Sequence, residues 1–125
     1  MARILVVEDD PQVRRMLRFT LMRAGHEVAE AANGAEGLRL CDEAAPDLIV
    51  TDIIMPEMEG LETIKRLHDQ RPALPVIAIS GGGQVAPQGY LDLARKLGAR
   101  EAFTKPVDRD ALLEAVNRLL AEAPA

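Results

Sequence analysis

Leu48-Ile49-Val50-Thr51-Asp52-Ile53-Ile54-Met55-Pro56 is the stretch on which the rest of the chain depends. Leu48 to Thr51 read as a short strand with only a threonine to interrupt its apolar character. The carboxylate of Asp52 follows at once, and Pro56 stops further regular pairing. A strand apolar on both faces belongs to a parallel sheet covered by helices. In such sheets the chemistry sits at the carboxyl ends of the strands. Asp52 therefore stands where an active group stands. The other polar residues that matter fall at the ends of other predicted strands: Glu8-Asp9-Asp10 after the first, Ser80 after the fourth, Lys105 at the fifth.

Outward from that centre, strands and helices alternate. Arg3 to Val7 reads as a buried strand. Asp10 is placed to cap a helix whose first position is Pro11 and which runs to about Ala24, stopped by Gly25. At about 100° per residue, Val13, Met16, Leu17, Thr20, Leu21 and Ala24 share one face of it. Phe19 and Met22 fall on the other side, among Arg14, Arg15, Arg18 and Arg23. That side reads either as a solvated basic face with two stray apolar residues or as a docking surface for a partner helix.

Glu27 to Ala31 alternates and is short, as an edge strand does. Asn33-Gly34 reads as a turn, and Ala35 to Ala44 as a second helix with Leu38 and Cys41 on one face. Pro46 breaks the chain before the central strand. Glu57 to Gly60 reads as a loop. A third helix spans about Leu61 to Gln70, with Leu61, Ile64, Lys65 and Leu67 at helical spacing. Pro75 to Ile79 is the fourth strand, Ala86 to Leu97 the fourth helix, Glu101 to Thr104 the fifth strand. Asp108 caps a last helix to about Glu122, with Leu112, Leu113, Val116, Leu119 and Leu120 as its apolar side. Five strands alternating with five helices over short connections give an α/β, flavodoxin-like doubly wound parallel sheet. The order 2-1-3-4-5 puts the first and third strands side by side at the switch point, where Glu8, Asp9 and Asp52 converge.

Composition narrows the function classes. The chain has 125 residues, 48% of them apolar, enough for one domain with a core of its own. Its aromatics are Phe19, Tyr90 and Phe103, so that core rests on aliphatic side chains. A net charge of −5 argues against a nucleic-acid-binding surface. Cys41 is the one cysteine, which excludes an internal disulfide and a cysteine-built zinc cluster; it reads as a small core residue. His26 and His68 lie far apart in sequence and read as surface residues. No signal peptide opens the chain and no run reaches membrane-spanning length, so a cytoplasmic protein with no membrane partner is expected. Ser80-Gly81-Gly82-Gly83 matches neither phosphate-binding fingerprint and leaves Ser80 open to approach.

Three carboxylates in one crevice repel one another, a cost that a divalent cation offsets. Hard oxygen ligands suit Mg²⁺. Ser80 adds a hydroxyl and Lys105 a mobile ammonium. A carboxylate nucleophile, a Mg²⁺, an ammonium and a hydroxyl are the parts needed to accept a phosphoryl group.

The motifs also carry a family likeness. Ile4-Leu5-Val6-Val7-Glu8-Asp9-Asp10, Pro46-Asp47-Leu48-Ile49-Val50-Thr51-Asp52 with Met55-Pro56 and Gly60, Ile79-Ser80, Gly98-Ala99 and Thr104-Lys105-Pro106 together resemble a bacterial two-component response-regulator receiver domain, of the stand-alone, chemotaxis-regulator kind. The 2-1-3-4-5 order is partly analogy with such receivers. The resemblance implies that Asp52 accepts a phosphoryl group from a phosphohistidine on a sensor histidine kinase or phosphotransfer protein. It implies that Asp9 and Asp52 bind Mg²⁺ with the backbone carbonyl of Ile54, that Glu8 holds a metal-bound water, and that Lys105 and Ser80 contact the phosphoryl oxygens. Lys105-Pro106 is expected to be cis. Phosphorylation is expected to draw Ser80 inward and shift the surface of the fourth helix, fifth strand and fifth helix for a downstream partner, a phosphorelay or a phosphorylation-dependent dimer. The resemblance also implies a protein that catalyses its own phosphorylation and dephosphorylation and turns over no external substrate.

Departures from the family pattern add expectations. The position three before the lysine, often aromatic, is Ala102, with Phe103 next. Ile54 and Gly82, two beyond Asp52 and Ser80, cannot orient an attacking water, so loss of the phosphoryl group is expected to be slow. Residues 1–125 are expected to form one receiver domain, with a core of about 2–121, a short tail over 122–125 and no output domain. The competing readings are a receiver excised from a larger transcription regulator or hybrid kinase, an aspartate-based phosphohydrolase, and a flavodoxin-like carrier. The phosphohydrolase would need an acid where Ile54 stands; the carrier's phosphate would be repelled by Glu8-Asp9-Asp10.

Overall fold

The computed structural model describes residues 2–53, 59–80 and 87–122. Their order is β1 (Arg3–Val7), α1 (Pro11–Arg23), β2 (Glu27–Ala31), α2 (Gly34–Glu43), β3 (Leu48–Asp52), α3 (Glu59–Gln70), β4 (Val76–Ser80), α4 (Pro87–Leu97), β5 (Glu101–Thr104) and α5 (Arg109–Glu122). The strands form one parallel sheet in the order β2-β1-β3-β4-β5. β3 and β4 are buried along their whole length, as strands covered on both faces must be. β2, with two glutamates in five residues, takes an edge.

Strand alternation divides the core into two clusters, one per face of the sheet. Leu5, Val7, Ile49, Val76 and Ala78 meet Cys41 of α2, Ile64 and Leu67 of α3, and Ala94 of α4. Ile4, Val6, Val50, Ile77 and Ile79 meet Leu17 and Leu21 of α1 and Leu112, Val116 and Leu119 of α5. Each fully buried leucine contributes about 1.5–3 kcal/mol of transfer free energy. Cys41 is buried, and burial pushes its thiol up from the ordinary value.

The helix starts follow from short polar side chains. Asp10 Oδ1 accepts from the backbone N–H of Gln12 at 2.8 Å, and Pro11 opens α1. Asn33 Oδ1 accepts from Glu36 N at 2.8 Å, and Glu36 Oε1 accepts from Ala32 N at 2.7 Å. Asn33-Gly34 is therefore a helix cap, not a free turn. Asp108 Oδ1 accepts from Ala111 N at 3.2 Å to start α5. Gly98, at φ +131°, ends α4 in a conformation that L side chains avoid, and its backbone lies against the His68 imidazole of α3.

Some boundaries and faces differ from the sequence reading. α3 begins at Glu59, so Glu59 and Gly60 are helical. Lys65 is exposed and paired with Asp69 at 2.9 Å, while Thr63 takes the buried position beside Ile64. Ala24, the α1 cap, is exposed. Asp52 and Ser80 are the last residues of their strands, not the first residues beyond them. No helix among the described residues is long and apolar enough to cross a membrane.

Candidate functional site

Register assembles the site. β1 pairs with β3 through Val7 and Thr51, so the next residues, Glu8 and Asp52, emerge side by side. Asp52 is level with Ile79 of β4, and Ser80 is level with Thr104 of β5, which brings Lys105 to the same end of the sheet. Glu8, Asp9 and Asp52 each offer a carboxylate oxygen, and these oxygens lie within 4.8 Å of one another. Glu8 and Asp52 are 1% and 3% exposed, whereas Asp9 is open to solvent.

Lys105 closes the cluster. Its Nζ donates to Asp52 Oδ2 at 3.1 Å and lies 2.7 Å from Glu8 Oε1. The latter is a close ion pair with a fully buried carboxylate oxygen. Glu8 Oε2 accepts from Asp10 N at 3.1 Å. The Lys105-Pro106 bond is cis, as expected. Thr51 Oγ1 donates to the Asp52 carbonyl at 3.1 Å. Ser80 is fully buried, in contrast to the open hydroxyl expected from its glycine-rich surroundings.

The electrostatics follow from this packing. Burial pushes the Glu8 carboxyl up from 4.5 to about 7, and the Asp52 charge adds to the rise; the Lys105 ammonium and the Asp10 N–H oppose it without cancelling it. For Lys105, burial alone works downward, but Glu8 and Asp52 overcome it and raise its pKa above the ordinary value. The three carboxylates present hard oxygen donors within 4.8 Å of one another, against the single ammonium of Lys105. That donor set fits a Mg²⁺ ion.

The structure brings together Glu8, Asp9, Asp52 and Lys105, and places Ser80 at the end of the adjoining strand. Ile54 and Gly82 lie outside the described residues. Ala102 packs against the cluster that holds Ala94 of α4, while Phe103 packs against the opposite cluster with Leu112 and Val116. Phe103 thus faces away from α4 and does not replace an aromatic at Ala102.

The sequence reading missed Arg14, which it placed on a basic face read either as solvated or as a docking surface. Arg14 Nη1 donates to the Glu8 carbonyl at 2.8 Å, and its Nε lies 3.4 Å from Glu30. An arginine one turn into the helix after an acidic stretch was the available signal. Elsewhere on α1, Phe19 is 60% exposed beside a groove of about 710 Å³ between α1 and α5. That groove is lined by Arg15, Met16, Arg23 and Leu113 among others and includes none of Glu8, Asp9 and Asp52.

Comparisons with known proteins agree with this arrangement. A sequence profile described as "Response regulator receiver domain" matches residues 4–117. The chain is 36% identical over 123 residues to protein PilH of Pseudomonas aeruginosa, covering 97% of this chain and 99% of that one. It is 38% identical over 119 residues to the chemotaxis protein CheY of Listeria monocytogenes, covering 94% and 98%. A crystal structure of a response regulator receiver domain protein from Clostridium thermocellum superposes with a TM-score of 0.88 at 32% identity, covering 97% and 95%. The chain belongs to the response regulator receiver domain family.

Proposed function

We propose that this receiver is a phosphorylation switch in which Asp52 takes a phosphoryl group from a phosphohistidine of a sensor kinase or phosphotransfer protein. The observation that carries the reading is the crevice itself: buried Asp52 beside Glu8 and Asp9, with the Lys105 ammonium 3.1 Å from its Oδ2.

An oxygen lone pair of Asp52 attacks phosphorus. The phosphorus–nitrogen bond of the donor breaks, and the donor imidazole keeps that electron pair. Asp9 and Asp52, with the Ile54 carbonyl, would hold Mg²⁺, and Glu8 would reach it through a water. When bound, the ion supplies charge neutralisation for the phosphoryl oxygens. Lys105 then exchanges its contact with Asp52 for the incoming phosphoryl oxygens, and Ser80 contacts the same group after an inward movement. The receiver thereby catalyses its own modification without turning over an external substrate.

PilH and CheY match this chain over nearly their full length. Signalling then runs through the α4–β5–α5 surface to a protein partner. With Ala102 where an aromatic often stands, and Phe103 packed on the other face, the rearrangement of that surface is smaller than a hydroxyl–aromatic pair would give.

Intact-protein mass after incubation with acetyl phosphate tests the reading. One phosphoryl adduct, dependent on Mg²⁺ and absent from Asp52→Asn, is expected. An adduct that survives in Asp52→Asn refutes the assignment. With Ile54 and Gly82 unable to orient water, the adduct decays slowly; a half-life of seconds contradicts that expectation.

A further inference from the structure

We infer that Arg14 and Glu30 form a clamp that positions the Glu8–Asp9 segment for the cation, making Arg14 a positioning residue of the site. The inference rests on the metal reading above and extends it to residues outside the crevice.

The geometry is a closed circuit between the end of β2 and the end of β1. Glu8 N donates to the Ala31 carbonyl at 3.0 Å. On the other side of the same residue, the Glu8 carbonyl accepts from Arg14 Nη1 at 2.8 Å. Arg14 is in turn oriented by Glu30, whose Oε1 lies 3.4 Å from its Nε, and Glu30 immediately precedes Ala31. Arg18 Nε holds the other carboxylate oxygen of Glu30 at 3.6 Å. Both backbone groups of Glu8 are thus tied to β2, one directly and one through the guanidinium. The peptide that accepts from Arg14 is the one joining Glu8 to Asp9, so its rotation would move both carboxylates.

A positioning role and a simple charge role differ in sign. Arg14 is a cation near a cation site. Its charge alone weakens Mg²⁺ binding, so neutralising it would tighten binding. If the guanidinium instead holds the peptide, its loss loosens the ligands and weakens binding. Partners one shell outside a metal centre are worth about 10–100-fold in affinity. Arg14 is part-exposed, which places it at the lower end of that range.

The test is Mg²⁺ titration of the full ¹⁵N-labelled chain, read from backbone amide shifts, with urea midpoints to confirm folding. Arg14→Ala is expected to weaken Mg²⁺ binding about tenfold. Arg14→Lys, which keeps a donor and the charge, is expected to fall between Arg14→Ala and wild type. Glu30→Gln is expected to weaken binding in the wild-type background and to have no further effect in Arg14→Ala, because the two act as one device. Charge alone predicts the same Glu30→Gln loss in both backgrounds.

Equal or tighter binding by Arg14→Ala overturns the clamp, and so does additivity of the two substitutions. Asp9→Asn separates the two levels. If wild type binds Mg²⁺ through Asp9 while Arg14→Ala is unaffected, only the clamp fails. If wild type takes up no Mg²⁺, the metal reading and the clamp fall together.

Discussion

Glu8 makes the stability of the metal-free protein depend on pH, and replacing it with glutamine isolates that dependence. The folded-state pKa of Glu8 is raised from 4.5 to about 7, with burial as the main cause. The folded protein therefore holds this proton more tightly than the unfolded chain does. The resulting stabilisation is fully present below pH 4.5 and is lost as pH rises through 7. At about 1.4 kcal/mol per pKa unit, the loss across that window is about 3 kcal/mol. Glu8→Gln keeps an oxygen to accept from Asp10 N and removes the titration. Urea unfolding with EDTA, at half-unit steps from pH 4.5 to 8, gives the stability of both proteins. The difference between them removes the titration of every other group. Glu8→Gln is expected to gain on wild type by about 3 kcal/mol over the window, with most of the change between pH 5 and 7. Saturating Mg²⁺ favours ionised Glu8 and stabilises wild type by about 2.7 kcal/mol at a hundredfold excess over Kd. Parallel curves for the two proteins in EDTA would refute the idea that Glu8 is buried beside Asp52 against its own ionisation.

Other consequences are as direct. Gly98→Ala sets a side chain at φ +131°, with its Cβ 2.6 Å from His68 Cβ and Cγ. A loss of about 2–5 kcal/mol in chemical denaturation is expected from strain and overpacking together. Adding His68→Ala does not restore wild-type stability, because the Cβ contact and the backbone strain both remain. Lys105→Ala leaves Glu8 and Asp52 without their ammonium; in EDTA it is expected to lose about 2–3 kcal/mol at pH 8, below the range for a fully buried pair because Lys105 is 20% exposed. Mg²⁺ recovers part of that loss in the same assay, and an unchanged midpoint would contradict the ion pairs. Amide shifts on phosphorylation are expected at Asp52 and Lys105 and along α4, β5 and α5; shifts confined to α1 and β2 would contradict signalling through that surface.

The fold was legible because its signals are local and redundant. Ile4 to Val7, Leu48 to Thr51 and Val76 to Ile79 are apolar on both faces, and each is followed by a polar group that the sheet cannot bury without purpose. Asp10 and Asp108 announced α1 and α5 because their side chains accept from N–H groups only two or three residues on. The misreadings have physical causes as well. Asn33-Gly34 has the composition of a turn, but Asn33 caps α2 equally well, and Glu36 decides the matter by reaching back to Ala32. Lys65 was assigned to the apolar side of α3 from angle alone, whereas Thr63 fits the sheet and Lys65 pairs with Asp69 in solvent. The convergence of Glu8, Asp9, Asp52 and Lys105 followed from strand order, since each lies at a strand end. Arg14 carried only a weak signal at that level. Its target is a backbone carbonyl six residues earlier, and its other partner, Glu30, lies on a strand brought close only by the parallel pairing of β1 with β2.

The most direct measurement locates the phosphoryl group itself. The phosphorylated protein is reduced with borohydride, which converts an aspartyl phosphate to homoserine, and the peptides are then mapped by mass spectrometry. Homoserine at position 52, with every other aspartate intact, is the predicted result. A phosphoryl group retained on Ser80, or one lost from His26 or His68 with Asp52 unreduced, would contradict the assignment of Asp52 as the acceptor.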